Sequence, residues 1–126
     1  MREDFSEYKK VEEIAKKFTE AVKNGNSEIV KPYFHPNAVI FGQLDKNTTQ
    51  EGTIRLFYDG IDKAGACSED YVKRIDIITL EKSVAIVRII EDNWHGYNFT
   101  DFLTLAKLNG EWKIVAKAYD TLSYQE

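Results

Sequence analysis

The chain is 126 residues long, with a formal net charge of −4, 43% apolar and 30% charged side chains. That balance belongs to a globular protein, long enough to bury roughly two-thirds of its unfolded surface in one core, with residues 1–126 as a single domain. It argues against a nucleic-acid partner, which selects for a basic stripe, and the scattered Lys and Arg together with the lack of any apolar run of about 18 residues argue against a membrane partner.

The single cysteine, Cys67, cannot form an internal disulfide framework, nor by itself a cysteine-based metal site. The first residues, MREDFSEYKK, have no apolar signal core, so a cytoplasmic location is the default expectation. In chain order, Phe5, Tyr8, Val11, Ile14, Ala15, Phe18, Ala21 and Val22 recur at helical spacing and predict one amphipathic helix. Asn24-Gly25-Asn26 ends it, because Gly and Asn tolerate the left-handed conformation of a helix C-terminus. Ser27 is placed to cap a short second helix running to Tyr33, which Pro36 stops. Ala38 to Leu44 reads as a strand and DKNTTQE as a polar loop. Ile54, Phe57, Tyr58 and Ile61 predict a third helix ending near Gly65.

The remainder reads as a four-strand antiparallel meander: Tyr71–Leu80, Val84–Trp94, and two long strands joined at Asn109-Gly110. Asn-Gly suits a type I′ hairpin turn, and His95-Gly96 makes the preceding one. Counting outward from Asn109-Gly110 puts Phe99, Asp101, Leu103, Leu105, Trp112, Ile114, Ala116 and Ala118 on one face. A single carboxylate thus stands in an otherwise apolar face.

Helix, FHPNAVIF, strand, third helix and long meander together resemble the nuclear-transport-factor-2-like superfamily. The closing DFLTLAKLNGEWKIVAKAYD is similar, more narrowly, to the bacterial group of putative lumazine-binding proteins. The resemblance implies an α+β fold: a cone of strongly curved, mostly antiparallel sheet, with three helices in the N-terminal half enclosing a pocket. It also implies relatives of varied chemistry, among them ketosteroid isomerase. That enzyme works with a helix tyrosine, an aspartate base on the first strand and a protonated aspartic acid deeper in the sheet. Here Phe18 falls at the tyrosine position and Gly42 at the base, while the third falls on Thr104, or on Asp101 if the hairpin register shifts by a few residues. At least two of the three parts are absent, so steroid isomerisation by that mechanism is rejected.

Other polar groups are candidates. Pairing around His95-Gly96 sets Asp92 opposite Phe99 and Arg88 opposite Leu103, which puts Arg88, Asp92 and Asp101 on the concave face, with Asp120 near. A β-bulge would flip part of this assignment. Phe18, Tyr33, Tyr58, Trp94 and Phe99 are the expected pocket walls, with Arg88 and Asp101 orienting a ligand's polar edge. An Arg88–Asp101 pair that only stabilises the fold is the competing account. His95 could overhang the pocket mouth as a base. No metal-ligand spacing and no cofactor motif is visible, and neither is expected.

Val87, Ile89, Phe102, Thr104, Val115 and Tyr119 would fall on the opposite, convex face, an apolar patch that suits a two-fold homodimer. Three functions fit. The first is a binding protein for an unidentified small-molecule ligand in a largely apolar pocket. The second is a cofactor-independent acid–base enzyme of the isomerase, dehydratase or cyclase type, with Asp101 catalytic. The third is a dimeric interaction module with a vestigial pocket.

Overall fold

A computed structural model describes residues 4–125. Helix α1 covers Asp4–Asn24, two 3-10 turns cover Ser27–Ile29 and Lys31–Tyr33, and strands β1 (Phe34–Asp45) and β2 (Thr48–Thr53) follow. Helix α2 is Arg55–Ala64, and the meander consists of β3 (Val72–Leu80), β4 (Val84–Trp94), β5 (Tyr97–Leu108) and β6 (Glu111–Tyr124). The six strands form one sheet in the order β2-β1-β6-β5-β4-β3. All neighbours are antiparallel except β1 and β6, which run parallel. The α+β class and the meander agree with the sequence reading.

Both predicted hairpin turns form as their residues demand. Asn109 and Gly110 have φ of 52° and 82°, His95 and Gly96 of 47° and 84°, the positive pair that a type I′ turn requires. The polar stretch taken for a loop is instead β2, because Asp45 bonds the Asn47 amide and closes a hairpin whose second strand pairs with β1. The predicted second helix shrinks to the two 3-10 turns. Asn26, not Ser27, supplies the cap there, its side-chain oxygen accepting from the Glu28 amide at 3.1 Å.

Helix α1 lays Val11, Ile14, Ala15, Phe18, Ala21 and Val22 into the core. Phe5 and Tyr8, expected in that stripe, are exposed. They belong to the first turns, where Glu7 rather than an apolar residue makes the anchor: it accepts from Trp112 Nε1 at 3.1 Å and pairs with Lys107. Helix α2 contributes Phe57, stacked on Phe18 at 5.1 Å, and Ile61. The two helices end against each other. Gly25 (φ 61°) and Gly65 (φ 75°) meet backbone to backbone, so that a Cβ on Gly25 would lie 2.1 Å from Gly65 C.

Ser27 is fully buried, and both its amide and its hydroxyl donate to Asp62 of α2, each at 2.7 Å. Asp62→Ala strands two buried donors. The expected loss is about 1–3 kcal/mol of unfolding free energy for such unsatisfied groups, measurable by urea titration. A change within error would mean that water replaces the carboxylate freely.

Candidate functional site

Two β-bulges decide what the site contains. At the β4–β5 hairpin Trp94 faces Tyr97, but the next pair is Glu91 with Phe99, so Asp92 and Asn93 together oppose Asn98. Asn93 takes φ 67°, and its amide donates to the Asn98 side chain at 2.9 Å. On β6, Ile114 faces Leu105 but Ala116 faces Thr104, which leaves Val115 as an extra residue. Because side chains alternate strictly along a strand, each bulge moves everything beyond it to the other face.

The expected concave cluster is therefore corrected. Arg88 points away from the helices, onto the outer face, where it donates to Asp76 at 2.8 Å. Val87 and Ile89, expected on the outer face, are fully buried, and with them Glu91 turns inward beside Asp101. Lys117 and Tyr119 replace Ala116 and Ala118 on the inner face, so Tyr119 is also withdrawn from the expected dimer surface. Asp92 is half-buried at the bulge and Asp120 is exposed; neither lines the cavity.

The cavity so formed lies between α2 and the inner face of the sheet, with a volume of about 230 Å³, at the small end of ligand sites. Its walls include Phe57, Ile61, Trp94, Tyr97, Phe99 and Tyr119, and its polar groups include Glu91, Asp101 and Lys117. Tyr97 stacks on Phe99 at 5.4 Å, and Phe99 meets Tyr119 edge-on at 5.7 Å. Of the expected lining residues, Trp94, Phe99 and Asp101 border this space. Phe18 does not, since it is buried in the core behind Phe57. Tyr33 packs half-buried against the core outside the cavity. Tyr58 sits edge-on to Phe34 in a separate groove, where burial pushes its hydroxyl up to about 12.

Three charged side chains are enclosed at this site. Glu91, Asp101 and Lys117 are 1%, 2% and 6% exposed. Charges are rarely enclosed without partners, and here they partner each other. Lys117 Nζ lies 3.7 Å from Asp101 Oδ1 and sits over the rings of Tyr119, at 4.0 Å, and Phe57, at 5.2 Å. Among the described residues, Asp101 Oδ1 itself accepts no hydrogen bond. The Glu91 carboxyl accepts from the Tyr71 hydroxyl and lies close enough to Asp101 for the two to interact. Burial first, and then the neighbouring Asp101 charge, raise Glu91 well above the usual carboxylate range. Two carboxyls in such contact cannot both be ionised, so one keeps a proton. Burial, reinforced by Glu91, also pushes Tyr71 far above its ordinary value and keeps it a hydrogen-bond donor.

The rim is held by backbone contacts. Trp94 Nε1 donates to Val22 O at 3.2 Å, and His95 Nε2 lies 3.0 Å from Gly65 O, so its ring nitrogen is engaged with a carbonyl. Tyr119 donates to Gln50 of β2. The Tyr119 ring also explains the missing first-strand base. A Cβ at Gly42 would lie 2.3 Å from Tyr119 Cε1, so no aspartate fits there while Tyr119 points inward. Gly42→Ala is expected to cost about 1–3 kcal/mol by overpacking and to change the cavity's shape. A crystal structure of the variant with an unmoved Tyr119 ring would contradict this.

Sequence counting missed Glu91, Lys117, Tyr71 and Gln50. The legible signals were Asn93, one of the few residue types that tolerate positive φ, and the unbroken Ile114-Val115-Ala116 run, in which apolar alternation loses its phase.

The model of the family described as "Putative lumazine-binding" matches residues 6–120. A curated relative, Aldolase FrzH from Cladobotryum sp, is 32% identical over 115 residues, covering 90% of each chain. The crystal structure of an NTF2-like protein of unknown function from Shewanella baltica OS155 superposes with a TM-score of 0.89 at 32% identity, covering 98% of this chain and 99% of that one. A ketosteroid isomerase-like protein from Erwinia carotovora atroseptica gives a TM-score of 0.68 at 16% identity, over 98% and 99% of the two chains, a likeness of fold alone.

Proposed function

We propose, from the premise that this chain belongs to the Putative lumazine-binding family of NTF2-like proteins, that it is an acid–base enzyme acting on a small, largely apolar carbonyl compound. One observation carries the reading. A glutamate and an aspartate, both almost fully buried, line an aromatic cavity, with an ammonium beside the aspartate.

The Lys117 ammonium makes Asp101 the member that carries the negative charge, and Glu91, further from it and bonded by Tyr71, keeps the proton. Asp101, with an oxygen that accepts no hydrogen bond, is then the base that removes a proton next to the carbonyl. Glu91, through the proton it keeps, is the acid reservoir. The near-complete burial of both side chains strengthens both roles. The name of the Cladobotryum relative, an aldolase, supports chemistry through an enol or its equivalent. It also favours carbon–carbon bond making or breaking over simple isomerisation.

The test is a panel of small ketones, aldehydes and aryl ketones, with lumazine included, followed by thermal shift and by NMR of α-proton exchange in D₂O. A compound that binds at a hundredfold excess over its Kd stabilises the fold by about 2.7 kcal/mol. Catalysed exchange of such a compound supports the reading. Binding with no exchange for any carbonyl compound supports a binding protein instead and removes the enzyme.

The sheet's outer face favours assembly. Phe41, Ala118, Phe102 and Arg88 lie in register across four strands, and Phe41 and Phe102 are 52% and 41% exposed. A two-fold dimer would cover this row, with Thr104 and Val115 beside it. Light scattering after size exclusion is expected to give twice the chain mass, and Phe102→Glu to give a monomer. A monomeric wild type removes the dimer.

A further inference from the structure

We propose that Lys117 is a covalent catalyst, condensing with the carbonyl carbon of a ketone or aldehyde to form a protonated imine. This deepens the acid–base reading and rests on its carbonyl substrate.

The side chain's surroundings suit that role better than a structural one. A lysine placed for stability would seat its ammonium among hydrogen-bond acceptors. Among the described residues, Lys117 Nζ instead has a single carboxylate oxygen at 3.7 Å, beyond hydrogen-bonding distance, and two aromatic faces. The residue borders the cavity although it is only 6% exposed. The side chain therefore lines the space that a ligand would enter while itself nearly buried, and a desolvated lysine is a nucleophile. The carboxyl pair supplies the two proton movements that condensation needs.

Asp101 takes one proton from the ammonium, and the freed amine adds to the carbonyl carbon. The resulting carbinolamine loses its hydroxyl as water, the proton coming from the carboxyl pair. Carbonyl compound plus ammonium thus gives protonated imine plus one water, with no oxidant or reductant. The imine's positive charge then acidifies the adjacent carbon. Asp101, ionised again, removes that proton and leaves an enamine, a carbon nucleophile of the kind an aldol reaction uses.

The probe is pentane-2,4-dione, which condenses with a reactive amine to an enaminone with its own near-ultraviolet absorbance. Peptide mapping by mass spectrometry locates the adduct on the wild-type protein, so the assignment does not depend on a variant folding. Lys117 is expected to react roughly a hundredfold faster than the exposed lysines, a small part of the gain available to an oriented pair. Lys117→Arg keeps a cation beside Asp101 but cannot condense, so it is expected to lose both the adduct and the exchange of simple ketones. Labelling spread over surface lysines, with Lys117 unmodified, overturns the covalent step. If α-proton exchange persists in that case, the acid–base reading stands without it. If exchange is also absent, both fall. Lys117 labelled selectively with exchange absent shows a reactive amine at the site but overturns its role as a catalyst, together with the acid–base role of Asp101.

Discussion

Asp101→Asn is expected to slow α-proton exchange of any carbonyl compound that the wild type deuterates by about 10²–10⁴-fold, the usual contribution of one positioned general base. Asparagine keeps the size of the side chain and its seat between Ile89 and Tyr119 in the neighbouring strands. What it loses is the ability to take a proton. Folding is expected to survive, because Glu91 can release its proton and supply a countercharge to Lys117, whose field already favours its ionised form. Binding, set mainly by the walls of Trp94, Tyr97 and Phe99, is expected to change far less than the exchange rate. An exchange rate equal to wild type would remove Asp101 from proton transfer. A loss of binding in step with exchange would make it a ligand-orienting group instead.

The second large effect concerns stability and pH. The Glu91 carboxyl, ordinarily near 4.5, is raised in the folded protein by burial and by Asp101. Between pH 4.5 and the folded titration point the native state holds a proton that the unfolded chain has released. Stability contributed by this group is therefore full below 4.5 and falls as pH rises through the window. One such proton gives a slope of at most about 1.4 kcal/mol per pH unit. Glu7, Asp62 and Asp76 act in the opposite sense. Hydrogen bonds from Lys107, from Ser27 and from Arg88 respectively hold them below their ordinary values, so their contribution is lost as pH falls into the acid range.

A maximum in mildly acidic solution follows, with a decline toward alkaline pH. Glu91→Gln, which keeps an acceptor for Tyr71 but carries no titrating proton, is expected to flatten that decline. Urea titrations of both proteins from about pH 5 to about pH 8 would read the difference directly. Parallel curves would mean that Glu91 does not titrate between folded and unfolded states.

The same two residues show where sequence reasoning reached and where it stopped. Asp101 was visible as a carboxylate in an apolar face because Phe99, Leu103 and Leu105 fix the phase of β5, and no bulge interrupts that strand between them and the carboxylate. Arg88 was assigned to it by counting from the His95-Gly96 turn. The bulge at Asp92-Asn93 shifts that count by one, so that Glu91 takes the inward place expected of Asp92 and Val87 that expected of Arg88. The bulge at Val115 does the same on β6, exchanging Ala116 and Ala118 for Lys117 and Tyr119. Phe18 and Tyr58 were misplaced for a different reason. Helical spacing says that a residue is covered, but not whether a neighbouring ring or a cavity covers it, and Phe57 took the position between Phe18 and the pocket.

Local chemistry written in the chain determined the helices, the two type I′ turns and the meander, because each rests on periodicity or on residues that few backbone conformations accept. Tertiary structure alone decided the composition of the site. A bulge changes the energy of a strand little, yet it reverses every side chain beyond it. Only packing against α1 and α2 selects the register that brings a glutamate, an aspartate and a lysine together inside.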